Sequence, residues 1–218
     1  LSSTSGYVDF YYILSQFLFV LPFFIFSGYS GYFTDRYKKN RVIIATKFFE
    51  LVVMFFAVYY LASENKLMLV VVLFLLSSQS VFLSPAKYGI IPEWFNESEI
   101  SRVNGMVQLT TFIAIIFGSA IGGILMQYFS DNLVFIGLFL LVLSAVGFIA
   151  SFFVKSFPAS GSNQPWSFNP WSETILGIKV MRKNRLIATT IAGISFFFAV
   201  GLALTANLFV FCKEIFAL

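Results

Sequence analysis

The sequence predicts an all-α membrane protein, and three observations carry that class. Apolar residues make up 59% of the 218-residue chain, charged residues only 11%, and thirty residues are Phe. A water-soluble domain of this size would expose much of that surface and aggregate. The apolar residues also fall in six runs, 10–33, 42–62, 67–86, 105–128, 132–154 and 186–211, each near the roughly 20 residues a helix needs to cross a bilayer. Hydrocarbon offers an open backbone no partner, so such runs form helices, and the alternation of a membrane barrel is missing. Finally, the cations favour one side. Segments 35–41, 85–103 and 155–185 hold four, two and five Lys or Arg, against zero, one, zero and one in 1–9, 62–66, 129–131 and 212–218. This bias marks the first group as cytoplasmic and starts the chain outside. The net charge of +4 thus reports topology, and no nucleic-acid partner is expected.

Each element has its own signal. The first run follows nine residues without a positive charge, which argues against a cleavable signal peptide. After it, residues 31–41 read Gly-Tyr-Phe-Thr-Asp-Arg-Tyr-Lys-Lys-Asn-Arg, a short turn too charged for hydrocarbon. The second run carries Lys47 and Glu50, three residues apart and able to pair. Glu50 lies roughly 13 Å beyond Arg41 along a helix. Lys47 can snorkel from there to the surface, but the shorter Glu50 cannot. A paired structural charge is one reading; a cavity-facing Glu50 that titrates is the other. The third run places Gln79 among Ser77, Ser78 and Ser80, a candidate polar lining.

Residues 84–93 read Ser-Pro-Ala-Lys-Tyr-Gly-Ile-Ile-Pro-Glu, and Pro85 and Pro92 bracket an expected break in the helix. Lys87 and Tyr88 there suit the head-group level, either as anchors or with Lys87 meeting a lipid phosphate or gating the cytoplasmic side. On the fourth run Asn104, Gln108, Thr111, Gly118 and Gly122 share one face by their spacing. Amides at membrane depth mark packing or a water-filled path, so Asn104 and Gln108 are candidate cavity residues. Gly118, Gly122, Ser119 and Gly123 make small-residue steps that let another backbone approach. The fifth run, 132–154, leads into the longest loop, 155–185, which holds Trp166, Trp171 and three prolines. Pro170, Ser172 and Glu173 read as a helix start. Ile175, Ile178 and Met181 then form an apolar stripe flanked by Lys179, Arg182, Lys183 and Arg185, an amphipathic helix for the anionic inner leaflet. Stretch 156–165 reads as solvated linker, and 186–211 is the last span.

Two of these stretches carry a resemblance. The pattern Gly31-x-x-x-Asp35-Arg36, followed by Lys39 and Arg41, resembles the loop between the second and third helices of major facilitator transporters. Residues 84–93, followed by Val103-Asn-Gly-Met106 and the Gly118 to Gly123 helix end, resemble the bacterial lysophospholipid transporter family in order and spacing over most of residues 20–155. The resemblance implies a major-facilitator-type helical bundle of which this chain holds helices two to seven. Residues 1–154 would be part of the N-terminal half (helices two to six), 155–185 the central cytoplasmic loop, and 186–218 the first helix of the C-terminal half. The chain would then be a fragment truncated at both ends.

The resemblance further implies a carrier in a bacterial inner membrane, multi-pass, moving lysophospholipid by alternating access between two rocking halves. Gly31, Asp35, Arg36, Lys39 and Arg41 would form a conformational latch, with Asp35 accepting hydrogen bonds from neighbouring helix ends or basic residues. Asn104, Gln108, Thr111, Gln79, Glu50 and Lys87 would line the substrate path. Such transporters are fused to or partnered with acyltransferase modules in many bacteria. Two alternatives stay open: a facilitator carrier for another small solute or drug, and a membrane anchor that positions a fused acyltransferase. The segment 201–207, Gly-Leu-Ala-Leu-Thr-Ala-Asn, lacks the Arg that family members can place there for a head group. An enzyme is not expected, since the chain has no His and no nucleophile–base spacing. Lone Cys212 forms no internal disulfide, and neither a metal site nor a cofactor is expected.

Overall fold

In the computed structural model, residues 2–156 and 170–216 are described. They form eight helices: α1 (Ser2–Arg36), α2 (Lys39–Ala62), α3 (Lys66–Gly89), α4 (Ile91–Trp94), α5 (Glu97–Phe129), α6 (Leu133–Ser151), α7 (Pro170–Lys183) and α8 (Arg185–Phe216). No strand occurs among the described residues. Five helical spans, Leu14–Arg36, Lys39–Ala62, Lys66–Trp94, Glu97–Phe129 and Leu133–Ser151, are long and apolar enough to cross a membrane. A sixth arises if Gly177–Lys183 and Arg185–Gly201, which meet at 113°, count as one. Trp166, most of the expected linker 156–165 and the rest of 157–169 lie outside the described residues.

The chain divides into two units, Leu1–Pro170 and Trp171–Leu218. In the first, α3 is the central helix, flanked by α1 and α2, and α6 packs on the far side of α2. Ser77 of α3 donates to the carbonyl of Phe19, within the turn before Pro22. The bond ties α3 to α1 one residue from the Leu18 carbonyl, which Pro22 leaves without its ladder donor. Two clusters hold α2 in place. Val42, Ile43, Ala86 and Ile90 join α2 to the end of α3. Val53, Met54, Ala57 and Val72 join them deeper, with Leu141 of α6 against the same group. Gly137 allows a close α2–α6 approach: a Cβ there would lie 2.8 Å from Leu61 Cδ1 and 3.4 Å from Val58 Cα. Phenylalanines such as Phe24, Phe55 and Phe153 point outward, the arrangement of lipid-facing side chains.

Several boundaries differ from the sequence reading. The basic stretch 31–41 is barely a loop, because α1 runs to Arg36 and α2 begins at Lys39, leaving only Tyr37 and Lys38 between them. Pro85 does not break α3; its missing N–H removes one ladder bond, and the helix continues to Gly89. The break falls at Ile90, with Pro92 in the first turn of α4, where no donor is needed. Helix α5 starts at Glu97 rather than 105, because Glu99 accepts a 3.3 Å bond from the Asn96 N–H and two acidic side chains favour the helix start. The glycine steps of α5 make no close approach in this unit. Nothing lies within 4 Å of a Cβ built at Gly118, Gly122 or Gly123, and α5 has no buried residue among those described.

Candidate functional site

The polar side chains of α2 to α5 form three groups. One centres on Glu50 of α2. Its Oε2 accepts from Lys47 Nζ at 2.8 Å and from Gln79 Nε2 of α3 at 3.0 Å. Gln79 is nearly buried (4% exposed), while Lys47 and Glu50 keep 25% and 21% exposure. Ser80 Oγ lies 3.3 Å from Gln79 Oε1 and 3.1 Å from the Leu76 carbonyl, and its single proton serves one of the two. Lys47 lies alongside Gly147 of α6, its Nζ 3.7 Å from where a Cβ would stand. Helical spacing alone put Lys47 beside Glu50; the fold adds Gln79 from 29 residues away.

Lys87 of α3 donates to Thr111 Oγ1 of α5 at 3.0 Å, with its ammonium 5.5 Å from the Tyr88 ring centroid. The expected head-group anchor is therefore turned partly inward and bridges two helices. Lys87 and Thr111 are brought together, as are Glu50 and Gln79. Asn104 is half-buried and Gln108 exposed on the same α5 face, and neither side chain makes a hydrogen bond to a described residue.

At the start of α2 Lys39 pairs with Glu93 of α4. Lys39 is only 8% exposed, and its stem crosses Gly89, where a Cβ would come within 2.9 Å of Lys39 Cε. Gly89 is thus the floor that lets the cation reach Glu93. Arg36 donates to the Tyr32 hydroxyl and lies 5.6 Å from that ring's centroid. Asp35 points outward, is exposed, and meets no donor among the described residues. Among the described residues, the acceptor that meets the 31–41 segment is Glu93. Glu93 closed the quoted 84–93 stretch, but no spacing rule connects it to Lys39 across 54 residues. Gly31 has no atom within 4 Å of a built Cβ, so no steric demand for glycine arises there. No cluster of His, Cys, Asp and Glu able to hold a metal occurs among the described residues.

Residues 8–218 match the Major Facilitator Superfamily. The chain belongs to that superfamily. With its apolar spans, it is a multi-pass membrane protein. Among its relatives, the protein named lysophospholipid transporter LplT of Photorhabdus laumondii is 26% identical over 91% of this chain and 48% of its own length. The proteins of the same name from Klebsiella pneumoniae and Yersinia pestis are also 26% identical, over 87% and 91% of this chain. They are covered over 46% and 47% of their own lengths. The chain spans about half the length of these relatives. No solved structure matches it.

Proposed function

We propose that this chain forms part of a secondary transporter that moves lysophospholipid across a bacterial inner membrane by alternating access. The observation that carries the reading is the polar seam at membrane depth. Glu50, Gln79 and Lys47 on α2 and α3, with Lys87 and Thr111 on α3 and α5, make mutual hydrogen bonds inside otherwise apolar helices. Polar groups there are costly unless they serve a path or a partner. Relatives carrying the name lysophospholipid transporter support the substrate class. In this reading Asn104 and Gln108 line the path and the 31–41 segment latches the cytoplasmic side. An acyltransferase, fused or associated, would consume the lipid delivered inward.

The absence of hydrogen bonds at Asn104 and Gln108 leads to the test. An amide at membrane depth needs a protein partner or water, and a transport cavity supplies water. In full-length protein with Cys212 replaced, cysteine at Asn104 or Gln108 should react with a water-soluble thiol reagent. Lysophospholipid should slow that labelling. Protection by unrelated small solutes but not by lysolipid would move the case to a general facilitator carrier, a reading that the Arg-free segment 201–207 favours. No labelling at either site would remove both residues from the path.

A further inference from the structure

A groove of about 630 Å³ runs between α1 and α2 over α3, lined by Phe26, Phe33, Phe49, Phe74 and Phe82, with Arg41 and Tyr37 among its walls. Its size is that of an ordinary ligand site. Its chemistry is uneven along its length. The polar side chains in its wall are satisfied within the protein: Thr46 Oγ1 donates to the Ile43 carbonyl at 2.9 Å, Ser78 Oγ to that of Phe74 at 2.7 Å, and Gln79 to Glu50 at 3.0 Å. They offer a guest little beyond carbon. Arg41 and Tyr37 lie at the α1–α2 turn, the end that positive charge marks as cytoplasmic. Arg41 is exposed and forms no ion pair among the described residues, whereas Lys39, two residues before it, is neutralised by Glu93. From Arg41 to Phe49 the wall extends about 12 Å along the helix. That approaches the depth of one leaflet, about half of a 30 Å hydrocarbon core.

We propose that this groove holds one phospholipid of the cytoplasmic leaflet, its acyl chain along the phenylalanines and its anionic head group on Arg41 and the Tyr37 hydroxyl. A small polar solute would find no free donor in the deeper part. An uncharged hydrocarbon would gain nothing over bulk lipid, because tails are as apolar as the wall. Selectivity must come from Arg41, and one cation near a membrane surface is worth about a fivefold preference for an anionic lipid. The groove shares Gln79 with the polar seam and Arg41 with the 31–41 segment, but Asn104 and Gln108 of α5 are not among its walls, and the proposal stands whether or not lysophospholipid is the cargo.

The test uses full-length protein with its native tryptophans replaced and Phe74→Trp as reporter, in nanodiscs of phosphatidylcholine. A minor fraction of phosphatidylglycerol or of phosphatidylcholine carries brominated chains, which quench tryptophan on contact. Brominated phosphatidylglycerol should quench at severalfold lower mole fraction. Arg41→Gln should abolish that preference, Arg41→Lys should keep most of it, and Lys38→Gln, outside the groove, should leave it unchanged. Each variant is read only as monodisperse, helical protein, so misfolding cannot imitate the result. Equal quenching by the two lipids, or a preference that survives Arg41→Gln, would overturn the proposal. Displacement of the brominated lipid by lysophospholipid at its transport concentrations would also overturn it, by making the groove part of the cargo path.

Discussion

At the scale of single residues, the Lys39–Glu93 pair is the better buried of the two ion pairs among the described residues. A charge taken out of water is tolerated only while its partner stays, so removing one side costs more than removing both. Glu93→Gln should destabilise the protein by about 2 kcal/mol, a figure below that for a fully buried pair because Glu93 keeps 22% exposure. The double variant with Lys39→Met should recover part of the loss, a coupling of about 1 kcal/mol. Asp35→Asn should change stability by less than about 0.5 kcal/mol, since Asp35 is exposed. Reversible unfolding in mixed detergent micelles compares the wild type, Glu93→Gln, Lys39→Met, the double variant and Asp35→Asn. Additive effects for the pair, or a large effect at Asp35, would reverse the assignment of which acceptor ties the turn down. Only part of this was legible in the sequence. Lys47 and Glu50 sit three apart on one helix, so their pairing follows from periodicity. Gln79 and Glu93 belong to other helices, and a single chain read in order carries no signal of which helix will face which.

At the scale of elements, the turn between α2 and α3 shows how a boundary is set. The Asn65 N–H donates to the Tyr60 carbonyl at 3.1 Å and the Glu64 N–H to the Leu61 carbonyl at 3.3 Å, the paired bonds of a Schellman motif. Asn65 then accepts from the Met68 N–H to start α3. The motif requires a left-handed residue, and here it is Glu64, at φ 52°. A side chain in that region costs about 1 kcal/mol that glycine avoids. Glu64→Gly should therefore stabilise the protein by a few tenths to 1 kcal/mol, seen as a raised midpoint in thermal unfolding. A lowered midpoint would mean that Glu64 makes a compensating contact. The number and order of apolar runs were plain from the sequence, because a span is defined by length and hydropathy. Helix ends were not, since α1 and α5 extend past their apolar cores into charged residues at Arg36 and Glu97. Close packing was misplaced for a similar reason. The Gly118 and Gly122 spacing suggested an approach that this unit does not make, while Gly137, isolated in sequence, lies against Leu61 and Val58.

At the scale of the whole molecule, charge decides how the bundle sits in the bilayer. Helix α1 ends and α2 begins among Arg36, Lys38, Lys39 and Arg41, whereas the α2–α3 turn holds only Lys66 and the α5–α6 turn none. Each cation held on the cytoplasmic side gains from the anionic leaflet and avoids translocation, so the bias fixes one orientation for the set. Consecutive spans must alternate in direction, which means one misplaced turn would invert every turn after it. Reporter fusions after Arg41, Arg102 and Arg185 should therefore read cytoplasmic, and those at Glu64 and Asn132 external. The Arg102 fusion is the sharpest of these, because it lies inside α5, eight residues before Thr110 and within the charged start of the helix. Residues 97–104 add about 12 Å to that helix beyond the apolar run, so its first two turns stand clear of the hydrocarbon. If Arg102 reported from outside while Arg41 reported from inside, α3 would be a re-entrant segment rather than a span. The Lys87–Thr111 bridge would then lie at the opposite membrane face from the Lys39–Glu93 pair, which the single break at Ile90 between Lys87 and Glu93 does not permit.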